Sequence, residues 1–296
     1  MPKGIPRNGV RMTKKRVASG VFNETGMVQI HHKDPMEEVI KETDVQIEAR
    51  LRDRFNILGE LTEAALNGDA RAVIVSGPAG LGKSFTVEEK LREWDPEQLD
   101  HTIVKGYVKP TGLLRLLYRY REEGQVIVFD DADTVFFDDT CLNLLKAVCD
   151  TTEMRRVSYL AEVNMTDEES GDQIPRNFGF DGTIIFITNL DMDSMIDRGH
   201  KLAPHLSALV SRSHYIDLTM KTKRDYLVRI KQVVKDGMLR MHGLDVSEEE
   251  EVMNFIHENQ DRLRELSLRI AVKISNLVKM GKGDWKRIAN VTCCRN

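Results

Sequence analysis

The chain has 296 residues, 41% of them hydrophobic and 30% charged, with 43 Lys and Arg against 47 Asp and Glu for a formal charge of −4. That length accommodates one large core plus a smaller domain, and the mild acidity excludes a basic nucleic-acid coat. No stretch approaches ~18 uninterrupted apolar residues and the N-terminus lacks an apolar signal core, so a cytoplasmic protein without a membrane partner is expected. Cys141, Cys149, Cys293 and Cys294 form no C-x-x-C pair, and His200 and His205 lack a third ligand, so neither a disulfide framework nor zinc is indicated. The adjacent pair Cys293-Cys294 is expected in a tail.

Residues 1–20 carry Lys3, Arg7, Arg11, Lys14, Lys15 and Arg16 with no acid, interspersed with Gly and Pro. A flexible basic arm over 1–36 is expected, which either follows a phosphate backbone or is a solvated tail. Within it, residues 20–34 around Asn23-Glu24-Thr25-Gly26 read as a short hairpin. From Glu37 to Asn67, Val39, Ile40, Val45, Ile47, Leu51, Phe55, Leu58, Leu61 and Ala65 recur at helical intervals as one or two amphipathic helices, and Gly68 ends the stretch.

Ala72 to Val75 then reads as a buried strand. It leads into Gly77-Pro78-Ala79-Gly80-Leu81-Gly82-Lys83-Ser84, which fits G-x-x-x-x-G-K-[ST] and is followed by a helix. In this phosphate-binding loop, glycines let successive backbone N–H groups close on phosphate oxygens and the helix N-terminus adds its dipole. Lys83 is expected on the β- and γ-phosphates and the Ser84 hydroxyl on Mg²⁺.

Pro96 breaks the chain, His101 to Val108 alternates as a strand, and a helix follows from Leu113 to Arg121. Val126 to Phe129 is an apolar run that ends in Asp130-Asp131-Ala132-Asp133, the pattern of a buried parallel strand with chemistry at its carboxyl end. Asp130 stands at the position of a Walker B aspartate that holds Mg²⁺ through water, and Asp131 is the candidate to orient or deprotonate the attacking water. A helix from Leu142 to Val148, a strand from Met154 to Val163 and a polar loop to Arg176 come next. The strand Thr183 to Thr188 ends in Asn189, a side-chain amide suited to sensing a γ-phosphate. A short helix from Leu202 and a last strand, His214 to Leu218, complete a five-strand α/β unit. Helices over Tyr226–Met241, Glu248–Ile256, Leu263–Met280 and Trp285–Val291 follow. The expected domains are the arm (1–36), the α/β nucleotide-binding domain (37–219) and an all-α lid (220–296).

This ordered set, Gly77 to Ser84, Phe129 to Asp131, Asn189, Ser211-Arg212 and a helical lid, resembles the AAA+ ATPases over roughly residues 40–293. The resemblance implies ATP and Mg²⁺ as cofactors and self-association into a ring or spiral, hexameric in the usual case. It makes Arg212 the arginine finger inserted into a neighbour's site, and it makes Arg269, in Leu266-Ser267-Leu268-Arg269-Ile270, the sensor-two arginine. Residues Arg155 to Phe180 are similar to the pre-sensor hairpin insertion of RuvB, ClpX and MoxR, which brings Arg155, Arg156 and Lys109 into consideration as pore residues. Lys105-Gly106-Tyr107-Val108 stands where ring-forming members carry an aromatic pore loop; Tyr107, flanked by Lys105 and Lys109, is expected either to stack on bases or grip polypeptide there or to be a strand-end tyrosine packed on its neighbours. Asp131 departs from the family's usual Glu, a carboxylate one methylene longer. In overall style the chain resembles phage and mobile-element members. The function implied is an oligomeric ATPase acting on DNA in replication, recombination or transposition. The alternatives are a protein remodeller of the MoxR or ClpX kind and, in a different class, a P-loop small-molecule kinase.

Overall fold

The computed structural model of the chain describes residues 42–160, 165–167, 171–281 and 284–295. The basic arm, the hairpin read over 20–34 and the beginning of the helical stretch at Glu37 lie outside them. Helix α1 (Asp44–Leu66) buries Ile47, Leu51, Phe55, Leu58 and Ala65, one stripe at helical spacing. Strand β1 (Ala72–Ser76) is buried at every residue, as a central strand covered on both faces must be. The phosphate-binding loop connects it to α2 (Lys83–Trp94). Then follow β2 (His101–Lys105), α3 (Pro110–Arg119) with proline in its first turn, and β3 (Val126–Asp130), again buried throughout. Helix α4 (Asp139–Val148) is capped by Asp138, whose side chain accepts from the Thr140 and Cys141 N–H groups.

The segment between α4 and the next core strand is two nested antiparallel pairs. Strand β4 (Arg156–Ser158) pairs with β7 (Asn177–Gly179), and β5 (Met165–Thr166) pairs with β6 (Gln173–Ile174). The predicted strand from Met154 and polar loop to Arg176 are thus replaced by strands of two or three residues, too short to impose a readable alternation. The Tyr118 and Phe178 rings meet edge-to-face at 5.3 Å and fasten β7 to α3.

The core continues with β8 (Thr183–Thr188), α5 (Met192–Asp197), α6 (Ala203–Val210) and β9 (His214–Asp217). The main sheet is five-stranded in the order β2-β3-β8-β1-β9, and every pairing in it is parallel. One apolar layer packs Leu113, Leu117, Leu142 and Leu206 on one face, and a second packs α1 and α2 on the other through Leu51, Leu58, Val87 and Leu91. All strands run the same way, so the turns after β1, β3 and β8 open at one edge of the sheet.

Beyond β9 the described chain is helical: α7 (Lys223–Lys235), α8 (Met238–Met241), α9 (Val246–Glu258), α10 (Leu268–Lys279) and α11 (Trp285–Cys293). The single helix predicted over Tyr226–Met241 is broken at Gly237. This C-terminal helical region has its own core, including Ile230, Leu239, Phe255, Ile256 and Ile274. Cys293 and Cys294 are buried in that core as free thiols rather than lying in a tail, and Cys294 forms an antiparallel bridge with Leu263. Helix α1 packs against both the sheet and the first helix beyond it. Arg54 donates to the Asp217 carbonyl at 3.3 Å, while Gln232 Nε2 on α7 donates to the Glu48 carbonyl at 3.2 Å and Arg50 pairs with Asp225 at 3.4 Å.

Candidate functional site

The loop residues Gly77, Pro78, Ala79, Gly80, Leu81 and Gly82 wrap the end of β1 and deliver Lys83 and Ser84 to the first turn of α2. Gly82 precedes the helix with φ 97°, a left-handed conformation in which a side chain is disfavoured. Gly80, at φ 74°, lies so close to the lid that a Cβ there would sit 2.7 Å from Ser267 Cβ. The Leu268 N–H donates to the Gly80 carbonyl at 2.8 Å. Helix α10 therefore starts directly on this glycine-containing loop.

The Lys83 ammonium is buried and folded onto its own loop, where it donates to the carbonyls of Gly77 and of Pro78, the latter at 2.9 Å, and to Asn189 Oδ1 at 3.0 Å. Burial, outweighing the attraction of Asp131 and Asp130, pushes its pKa down to about 8. A polyphosphate offers this cation what the loop carbonyls do not, a full counter-charge. Asn189 Nδ2 in turn donates to Asp131 Oδ1 at 2.7 Å, so Lys83, Asn189 and Asp131 form a continuous chain across the ends of three elements. Asp131 leaves the strand in a left-handed conformation, φ 53°, with its N–H bonded to the Ile187 carbonyl at 3.0 Å. That turn directs the shorter carboxylate toward Asn189 and solvent.

Ser84 Oγ donates to Asp130 Oδ1 at 2.7 Å, and Asp130 is buried. A hydroxyl in the first turn of α2 and a buried carboxylate at the end of β3 are both hard oxygen donors, and the pair fits Mg²⁺. Ser84 and Asp130 are the residues that would hold it.

Two participants were not read from the sequence as part of this site. Lys105, predicted as a pore residue, instead reaches back to pair with Asp130 Oδ2 at 3.0 Å and Glu88 at 2.8 Å. Its reason is register: Lys105 is the β2 partner of Asp130. Asp133 accepts from the Thr188 hydroxyl at 2.6 Å and fastens the turn that carries Asn189; burial raises its pKa above the usual carboxylate range.

Arg269 is exposed at the start of α10, and its Cγ lies 3.6 Å from where a Gly80 Cβ would stand. It is close enough to the site to contribute to the lowering of the Lys83 pKa. Arg212 lies just before β9, at the sheet edge opposite the phosphate-binding loop, and donates to the Ala208 carbonyl at 2.8 Å. It is therefore remote from the loop of its own chain.

Among the predicted pore residues, Tyr107 is 73% exposed, and Lys109 and Arg156 are exposed. Arg155 is not available for that role. It is 4% exposed, donates to the Val148 carbonyl at 2.9 Å and lies over the Phe180 ring at 5.1 Å, so it locks the base of the hairpin insertion.

No family model matches the chain. An uncharacterized 36.7 kDa protein of Enterobacteria phage T4, from the nrdC-mobD intergenic region, is 38% identical over 254 residues, which cover 85% of this chain and 77% of that protein. Among solved structures, the Thermotoga maritima RuvB Holliday junction branch migration motor matches with 16% identity and TM-score 0.44, over 82% of this chain and 68% of its own. Domain III of the Thermotoga maritima replication initiation protein DnaA matches with 15% identity and TM-score 0.45, over 80% of this chain and 89% of its own. The internal evidence for the fold is the strand order, with β1 between β8 and β9, combined with a phosphate-binding loop after β1, paired acids after β3 and a helical lid resting on the loop. At 38% identity over most of both lengths, the chain belongs to the family of the phage T4 protein, and its fold is that of the AAA+ P-loop ATPases.

Proposed function

We propose that the chain is an oligomeric ATPase that uses ATP and Mg²⁺ to work on DNA. The observation that carries this reading is the chain of hydrogen bonds from Lys83 through Asn189 to Asp131, set beside the Ser84–Asp130 pair. On nucleotide binding Lys83 exchanges its loop carbonyls for phosphate oxygens, while backbone N–H groups of the loop close on the same phosphates. A cleft of about 370 Å³ beside Pro78 and Ala79, lined by Tyr226, Gln260 and Ser267 of the lid, leaves room for the nucleoside. Ser84 and Asp130 would hold Mg²⁺, which when bound would supply charge neutralisation to the phosphates. Asp131 and Asn189 then face the γ-phosphate from the next strand ends, where the carboxylate takes a proton from water and the amide orients it. Charge spreading over the departing phosphoryl group is met by Arg269 from the lid and by Arg212 from a neighbouring subunit. Arg212's place at the opposite sheet edge supports that contribution in trans, as a ring or spiral, hexameric in the family's usual form, would provide.

DNA as the object is supported by the six basic residues of segment 1–20, which contains no acid, and by exposed Tyr107, Lys109 and Arg156. Kinship with a phage protein supports action in the cytoplasm of an infected host. The test is ATP turnover with and without single- and double-stranded DNA, for the full chain, for a chain lacking residues 1–20 and for Asp131→Asn. DNA is expected to raise turnover, the deletion to weaken DNA binding and flatten its salt dependence, and Asp131→Asn to retain nucleotide while losing about 10²–10⁴-fold in rate. Turnover indifferent to DNA but raised by an unfolded polypeptide would transfer the reading to a protein remodeller.

A further inference from the structure

Arg229, on the first lid helix, was not singled out by any motif. It is 8% exposed, and its guanidinium lies 3.4 Å from the centroid of the Phe55 ring on α1. Nε donates to the carbonyl of Leu81, inside the phosphate-binding loop, at 3.4 Å, and Nη1 donates to Gln232 Oε1 at 2.8 Å. Nη2 is 3.7 Å from where a Cβ on Gly82 would stand. One side chain thus touches α1, the loop and the lid together. Among the described residues its partners are neutral: a carbonyl, an amide and an aromatic face.

A buried cation without a carboxylate in contact carries an uncompensated desolvation cost, which an apolar side chain of similar length removes. Burial indeed lowers the Arg229 pKa to about 10, with Asp236 opposing that shift only in part. Such a charge is explained when a counter-charge arrives from elsewhere. The loop against which Arg229 packs presents its N–H groups to the ligand from the other side, so an incoming polyphosphate is the nearest anion the site is built to accept.

We infer that Arg229 is a positioning residue through which the lid and α1 respond to phosphate in the loop, its charge being compensated across the loop when a nucleoside di- or triphosphate binds. The inference rests on the nucleotide-binding reading above. It assigns Arg229 a role separate from Arg269, which lies at the start of another lid helix, α10.

The test compares Arg229→Met with Phe55→Leu in the full chain. It measures thermal melting without nucleotide, and fluorescence titration with a labelled ADP and a labelled non-hydrolysable ATP analogue in Mg²⁺. Arg229→Met is expected to melt no lower than wild type without nucleotide and to bind both nucleotides at least about tenfold more weakly, within the 5- to 150-fold range of such couplings. Phe55→Leu, which keeps the charge, is expected to melt lower and bind within about threefold of wild type, a small free-energy change. Should Arg229→Met not fold, Arg229→Lys replaces it, with affinity expected within the same threefold. A lowered melting point with unchanged affinity in Arg229→Met would overturn the inference, as would equal loss of affinity in Phe55→Leu or a tenfold loss in Arg229→Lys. Wild type that binds no nucleotide, with Lys83→Ala indistinguishable from it, would instead refute the nucleotide-binding reading itself.

Discussion

Replacing Gly80 with Ala tests the junction between lid and phosphate-binding loop in isolation from any ligand. Two separable costs follow from the geometry. Gly80 has φ 74°, and a left-handed L-residue costs roughly 1–2 kcal/mol. The new Cβ would lie 2.7 Å from Ser267 Cβ and 3.2 Å from its Oγ, a distance that forces Ser267 to move. Overpacking of this kind costs about 1–3 kcal/mol. Ser267 is also the N-cap of α10, accepting from the Ile270 N–H, so its displacement weakens the helix start as well. The total is about 2–5 kcal/mol, which for a chain of this size lowers Tm by roughly 4–20 °C. Gly124 supplies the control: its φ is 82° and nothing lies within 4 Å of an added Cβ, so Gly124→Ala carries the backbone cost alone. Calorimetry or urea unfolding of both variants reads the difference. Equal destabilisation of the two would refute the close approach of lid and loop.

Lys83 makes stability depend on alkaline pH. Its native pKa of about 8 lies below the ordinary 10.5, so between these values the unfolded chain holds the extra proton. Stability without nucleotide should therefore rise across that window, by about 1–3 kcal/mol in all, and Lys83→Met should lose the difference in slope when urea midpoints are compared from pH 7.5 to 9.5. At the hairpin insertion, Arg155→Ala should cost about 2–4 kcal/mol through the lost Val148 bond and Phe180 packing, while exposed Arg156→Ala should stay within about 0.5 kcal/mol in the same unfolding assay.

The parts of the site legible in the sequence are those whose residue types follow directly from a strand end. Ala72–Ser76, Val126–Asp130 and Thr183–Thr188 are continuous apolar runs with polar termini, and in a parallel sheet their ends converge. The bonds from Ser84 to Asp130 and from Asn189 to Asp131 join residues proposed from those runs. What escaped notice depends on lateral neighbours. Lys105 joins Asp130 because of strand register, which no local pattern encodes. Arg155 is expected in a pore and Arg229 belongs to no motif, because arginine is so commonly exposed that only tertiary packing reveals a guanidinium sent inward. Helix α5 and the strands of the insertion are too short for periodicity to register.

The position of β1 in the sheet has a consequence for how the chain is made. Its two partners, β8 and β9, begin only at Thr183 and His214, whereas the loop that follows β1 is translated long before either. Until those segments leave the ribosome, an all-buried Ala-Val-Ile-Val-Ser strand has both hydrogen-bonding edges bare. Phosphate binding is thus encoded early and becomes possible late, and a product terminated within the insertion would carry the complete loop motif without the neighbours that hold it in shape.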